Sequence, residues 1–439
     1  MRINIKSYIL KGLKNEFVKI VIFIFLLIFQ IRYGIIPAWN EIHSDFPNYY
    51  TSSRLLLEGN NISNIYNDSW FQREINNYGI TGQGKFSPFP PPTAFVMIPI
   101  AMLDPITAKR VFLIFNIILI MYAAFLIKKI SDLSYICACN IILLSGAALI
   151  NDLVFGQFYL ILLTMILSGY MLLLRKNGNS TGVLWGIGAA VKYFPVIYLP
   201  AIIIKKEWKA LASMIITILL VNMITCIILG ADVYVQFFQK VFFSHLNGEL
   251  SSQSKYAVSF QSWNSFLRNI FVYDRLENPS PLFNSLMAFY IIRVIVYFVF
   301  LSAVIIALYR LRKHGNFTTY SIIILTLVAF VLSPASASYH LLLLVLPVIL
   351  LLKLGAGMRP VYSTFFIVLY TVIGISPFLL SRMNKEAVGL FIAYSRLWLM
   401  VIFFASSVWF IFLHSGMKYF EVHNFRSTTP NAKSSSLEL

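Results

Sequence analysis

The sequence predicts an all-α polytopic membrane protein. Three observations carry that expectation. The chain is 59% hydrophobic and only 12% charged, about half the charged share of a soluble domain, roughly 25%. Apolar runs long enough for a membrane helix, about 20 residues, recur along it. The basic residues behind its formal charge of +18 cluster in short linkers between those runs, which is the positive-inside pattern rather than a nucleic-acid-binding face. Cys137, Cys139 and Cys226 all fall within apolar runs, so neither a disulfide framework nor a metal cluster is expected.

Taken in order, a first span runs from Phe17 to Ile36, with Lys11, Lys14 and Lys19 holding its start on the cytoplasmic side. No small-residue cleavage site follows Ile36, so the segment reads as a retained helix rather than a signal peptide. Residues 37–92 form an outer loop that begins HSDFPNYY and ends GKFSPFPPP. The dozen apolar residues from Pro92 to Leu103 contain Pro99 and cover about half a bilayer at 1.5 Å per residue, a short interfacial helix. A full span is expected from Ala108 to Ile127. Two more, Leu133 to Ile150 and Leu153 to Leu174, meet at a tight outer junction, NDLVFGQ, over residues 151–157.

Thr181 to Ile204 departs from the pattern. Lys192 stands in its middle ahead of Pro195, and both flanks are basic, with Arg175-Lys176 before and Lys205-Lys206 after. One straight span would put a basic cluster outside, and the proline ring disfavours a straight helix. Two half-helices meeting near Lys192 keep both clusters inside. The remaining spans are Trp208 to Leu229, Phe283 to Tyr309, Phe317 to Ser333, Leu341 to Leu354, Val361 to Leu380 and Phe391 to His414. A second outer loop covers 230–282, and the turn SPASASYH covers 333–340. The expected architecture has about ten full spans, a broken-helix hairpin and a short interfacial helix. Residues 1–16 and 415–439 are cytoplasmic, and 17–414 form one integral membrane domain.

Polar features gather on the outer side. Asp45 is a carboxylate beside a membrane surface and a candidate general base; a solvated loop acid is the plainer reading, and Arg54, Glu58 and Asp68 share its loop. Lys192 is a charge in an apolar run, costly unless it is paired or faces a polar cavity. A phosphate suits it, while snorkelling to the interface is the alternative. Arg268, in SWNSFLRN, is a second phosphate candidate. His340, Gln157 and Asn151 suit sugar or acceptor hydroxyls, or equally helix-end hydrogen bonds. A transporter or flippase for a lipid-linked glycan or another polar substrate is the main alternative to an enzyme, and it predicts a polar path through to the cytoplasmic side.

The segments SDFPNYY, FSPFPPPTAFVMIPIAMLD, LVFGQFYLILL, GVLWGIGAAVKYFPVIYLP, QSWNSFLRN and SPASASYHLLLLVLP occur in that order. In this the chain resembles the type C membrane glycosyltransferases, and more narrowly the bacterial family 87 group of alpha-1,2-mannosyltransferase-like proteins. The resemblance implies a polyprenyl-phosphate-linked sugar as donor and a lipid or envelope-glycan acceptor at the outer face of the bacterial cytoplasmic membrane. It implies no cofactor, no metal site and no nucleic-acid partner. Asp45 takes the general-base position. Lys192, with Arg268, takes the donor phosphate, and His340 and Asn264 match positions that contact sugar or acceptor. A single displacement would invert the anomeric configuration. FPPP departs from the aromatic followed by one or two prolines usual in the group.

Overall fold

A computed structural model describes residues 16–249, 253–380 and 387–427, with side chains over 16–249, 253–376 and 389–416. The basic residues expected to mark the cytoplasmic ends of the chain, Lys6, Lys11, Lys14, Lys418, Arg426 and Lys433, lie outside the described side chains. The regular structure of the described residues is all helix, with no strand among them.

The chain is a polytopic all-α membrane protein. The first helix, α1, spans Glu16–Asn40. The loop after it is itself folded, with α2 over Phe46–Leu57, α3 over Asp68–Asn77, and two 3-10 turns at Pro91–Phe95 and Ile98–Ile100. Next come α4 (Pro105–Ser131), α5 (Tyr135–Leu143), α6 (Ala147–Phe155) and α7 (Tyr159–Leu174). The re-entrant region holds α8 (Gly178–Lys192), a 3-10 turn (Phe194–Tyr198) and α9 (Leu199–Ile204). It is followed by α10 (Trp208–Leu229), then α11 (Ala231–Gln236), which runs on to Leu246, and α12 (Trp263–Phe271). The last third contains α13 (Leu286–Leu311), α14 (Phe317–Val331), α15 (Val345–Gly355), α16 (Pro360–Leu380), α17 (Ala387–Ala393) and α18 (Ser395–Ser427).

Among the described residues six helices are long and apolar enough to cross a membrane, and seven if the pair α5 and α6 is taken as one. The expected count of about ten is therefore not reached by length. Helices α7 and α14, with 16 and 15 residues, extend roughly 23 Å at 1.5 Å per residue, short of a hydrocarbon core of about 30 Å. Two expectations need correction. Leu133 to Ile150 is not one straight span, because the chain bends by 75° between α5 and α6. Residues 151–155 are also not a turn but the last part of α6, and the reversal falls at Gly156. Apolar composition alone cannot reveal such a bend, since both arms are equally hydrophobic.

The core and the lipid face divide cleanly. The 3-10 segment Ser338–Leu344 and α15 are almost wholly buried and pack against α14, whereas α1, α10 and α13 expose large aliphatic faces. Those exposed faces are what a bilayer would cover.

The break expected near Lys192 is present. Tyr193 takes φ of +52° directly after the last helical residue, Lys192. Packing shows that the chain then turns back. Gly178 approaches Ala210, Gly182 approaches Ala210 and Met214, and Gly186 approaches Met214 and Thr217. Rising numbers meet rising numbers, so α8 and α10 run parallel and residues 193–207 must return to the level at which α8 began. Arg175-Lys176 and Lys205-Lys206 thus share a side, and Lys192 is the tip of a hairpin.

The parallel packing depends on Gly182. A methyl there would stand 2.4 Å from the Ala210 carbonyl oxygen and 2.7 Å from the Met214 nitrogen. Both are backbone atoms, so helix α10 must shift, at a cost of about 1–3 kcal/mol. The helix propensity gained on replacing glycine, about 0.5–1 kcal/mol, does not offset this at the upper end. Gly182→Ala should lower the thermal unfolding midpoint in detergent, while Gly315→Ala, at a position with open space around it, should not.

Candidate active site

Asp45 occupies the N-cap of α2, with Pro47 in the first turn. An aspartate there ordinarily accepts from a backbone N–H two or three residues on. This one makes no such bond. Its Oδ2 instead accepts from Gln157 Nε2 at 2.5 Å, and its Oδ1 from Asn48 Nδ2 at 3.3 Å. The positive end of the α2 dipole still favours a carboxylate at this point.

Gln157 is fully buried. It is brought beneath Asp45 by Gly156, which ends α6 at φ +65°. A methyl at Gly156 would lie 2.8 Å from Phe46 Cβ and 2.9 Å from Lys109 Nζ, so only glycine lets the end of α6 approach the start of α2 this closely. Lys109 fixes the same corner. Its ammonium donates to the carbonyls of Leu153 and Val154, each at 2.9 Å, a cation on the C-terminal carbonyls of α6.

Gln157 Oε1 accepts from the Tyr49 hydroxyl at 2.8 Å, and Tyr49 Oη accepts in turn from Lys192 Nζ at 2.7 Å. An unbroken series of hydrogen bonds therefore runs from the ammonium of Lys192 through Tyr49 and Gln157 to the carboxylate of Asp45. Each donor in it is chemically fixed: ammonium, phenol, amide N–H. Lys192 makes no ion pair among the described residues. It is held in an aromatic cage, 4.2 Å from the centroid of Phe89, 5.2 Å from Tyr49 and 5.3 Å from Tyr159, where ring faces attract a cation. Phe89 comes from the proline-rich segment, which docks on the end of α8 through Thr93 Oγ1 donating to the Val191 carbonyl at 3.1 Å.

The two ends of this series are enclosed by protein yet keep accessible surface. Asp45 and Lys192 are half-buried, while Tyr49 and Gln157 between them are fully buried. Burial pushes the Asp45 carboxyl above its ordinary value of 3.8, against the opposing pull of the Lys192 charge and the Gln157 hydrogen bond. A carboxylate with that balance is a stronger base than one in water and stays ionisable.

Of the other sequence-predicted residues, His340 joins this group through rings, its imidazole lying 4.9 Å from Tyr159. Asn151 Nδ2 donates to Ser338 Oγ at 2.5 Å, two residues before His340. Asn264 and Arg268 have other partners. Asn264 donates to the Asn247 carbonyl, and Arg268 pairs with Glu249 at 3.1 Å. No hydrogen bond or ion pair joins either of them to Lys192 or Asp45 among the described residues.

Sequence reasoning passed over Tyr49, although it lies within the PNYY stretch singled out for Asp45. It also passed over Lys109, which stands at the edge of an apolar run, one turn into α4. Asp152 is fully buried and accepts from the Tyr159 backbone N–H at 3.0 Å. No group of three or more His, Cys, Asp or Glu side chains is arranged to hold a metal ion among the described residues.

Fold and site together define a membrane-embedded protein with an acid and an ammonium, linked but unpaired, at one end of its helical bundle. The chain belongs to glycosyltransferase family 87, whose family model matches residues 88–334. It is therefore a glycosyltransferase. That stretch includes Asn151, Gln157, Lys192, Asn264 and Arg268, whereas Asp45 precedes it and His340 follows it. No curated protein matches the chain.

The electrostatics give a direct check on Gln157. Its N–H favours the charged form of Asp45, so Gln157→Leu should raise the midpoint of Asp45 protonation by about one pH unit. The protonated-carboxyl infrared band that Asp45→Asn removes reports this midpoint. No change in it would show that the amide does not act on the carboxylate.

Proposed function

We propose that this glycosyltransferase moves a sugar, mannose or another hexose or pentose, from a polyprenyl-phosphate donor to a lipid or envelope-glycan acceptor. The reaction takes place at the outer face of a bacterial cytoplasmic membrane and inverts the anomeric configuration. The observation that carries this reading is the linked but unpaired Asp45 and Lys192. A base and a phosphate-binding cation are both needed for a displacement at the anomeric carbon, and they must not neutralise each other.

In the proposed reaction the acceptor hydroxyl attacks the anomeric carbon. Its new C–O bond forms as the bond to the phosphate oxygen breaks. The hydroxyl proton passes to Asp45, whose raised basicity suits the role. The electron pair of the broken bond stays on the phosphate. Lys192 stabilises that growing charge with the ammonium donors that Tyr49 does not use. Asp152, the nearby second carboxylate, is fully buried and cannot present itself as a nucleophile, which supports a single displacement. In this reading His340 and Asn151 contact the sugar or the acceptor.

The transport alternative needs a polar route past Lys192. The space beneath it is a cavity of about 20 Å³, lined besides Lys192 by Phe158, Leu162, Met165, Ile187, Gly188 and Val191. Apart from Lys192, the side chains lining it offer no polar step on such a route.

Purified protein assayed with a panel of polyprenyl-phosphate sugars and envelope-lipid acceptors tests the proposal. With a productive pair, Asp45→Asn should lower kcat by about 10²–10⁴-fold, the usual worth of a general base. Lys192→Gln should also lower it. Unchanged transfer by Asp45→Asn would remove Asp45 from the mechanism.

A further inference from the structure

Lys85 lies between α3 and the proline-rich 3-10 turns. The backbone holds it beside Asp45. Its N–H donates to Asn48 Oδ1 at 2.8 Å, and Asn48 Nδ2 donates to Asp45 Oδ1 at 3.3 Å. The residue before it is tied to α3, where the Gly84 N–H donates to Gln72 Oε1 at 2.9 Å. Lys85 is therefore fixed between α2 and α3, one amide side chain away from the carboxylate.

The other two lysines of this region have partners for their ammoniums. Lys192 donates to Tyr49, and Lys109 donates to two carbonyls. The Nζ of Lys85 is buried and makes no hydrogen bond among the described residues. Burial pushes this ammonium below its ordinary value of 10.5, against the opposing charges of Asp68 and Asp45. A buried cation without a hydrogen bond is costly to keep. The side chain as a whole is only half-buried, so rotation about its flexible stem is enough to bring the ammonium to the surface.

The two cations reach Asp45 by different oxygens. Lys192 connects to Oδ2 through Tyr49 and Gln157, whereas Asn48, which holds Lys85, contacts Oδ1. In a single displacement the incoming hydroxyl and the departing phosphate stand on opposite faces of the anomeric carbon. With the phosphate at Lys192, Lys85 falls to the acceptor. We propose that Lys85 selects an acceptor that carries a phosphate or a carboxylate close to the hydroxyl it offers to Asp45. A lysine ammonium is a point charge that suits either oxyanion. This inference rests on the reading of Asp45 as the base and Lys192 as the cation for the departing phosphate.

Equilibrium binding to the purified full chain, in a zwitterionic detergent free of sugar, tests it. The probes are methyl glucuronoside, methyl glucoside 6-phosphate and neutral methyl glucoside. The wild type should bind at least one anionic probe about tenfold more tightly than the neutral one. Lys85→Met, which keeps the stem and removes the charge, should abolish that preference, and Lys85→Gln should do the same. Lys192→Gln should keep it. A preference for the 6-phosphate alone assigns a phosphate-bearing acceptor, and one for the glucuronoside alone assigns a carboxylate-bearing acceptor. Equal binding of all three probes by the wild type overturns the proposal, as does an unchanged preference in Lys85→Met. A preference lost in Lys192→Gln and kept in both Lys85 variants also overturns it. Binding is read without turnover, so unchanged transfer by Asp45→Asn would remove the base while leaving the probe preference at Lys85 to be judged separately.

Discussion

The ammonium of Lys192 and the carboxylate of Asp45 are joined by hydrogen bonds through Tyr49 and Gln157, and the rest of the site depends on that connection. A direct ion pair would be the simplest way to keep both charges in a protein interior, but it would silence both. A tyrosine and a glutamine between them give each charge a polarised hydrogen bond without pairing the two charges directly. The aromatic cage of Phe89, Tyr49 and Tyr159 supplies further stabilisation of the cation without neutralising it.

Four separate parts of the chain must meet for this to exist, and each is fixed by a local feature. Pro47 starts α2 so that Asp45 precedes it. Gly156 lets α6 end against Phe46 and deliver Gln157, and Lys109 ties down the carbonyls at that end. The parallel packing of α8 on α10 sets how far into the protein Lys192 is carried before the chain turns back. The proline-rich segment closes the cage from the side. Asp45 and Lys192 both stand on element ends, where backbone direction changes and unsatisfied groups are available to hold them.

Much of this was legible in the sequence. Composition and apolar runs specify an all-α membrane protein because a bilayer admits few other solutions. The hairpin at Lys192 was readable because two basic flanks and a proline contradict a straight span. Asp45, Gln157 and Lys192 were each identifiable as polar groups out of place. Their linkage was not. Tyr49 looks like any aromatic residue near an interface, and its role depends on which way its hydroxyl points, which is a tertiary fact. The bend between α5 and α6 was hidden for a similar reason, since hydropathy reports burial in lipid but not direction.

The central claim is that the ammonium and the carboxylate act as one unit through Tyr49 and Gln157. A double-mutant cycle on kcat/KM with Tyr49→Phe, Gln157→Leu and the pair together tests it most directly. If the link is a unit, either single variant breaks it, and the double variant should be little worse than the poorer single one. Losses that multiply in the double variant would show that the two residues act independently and would contradict the account.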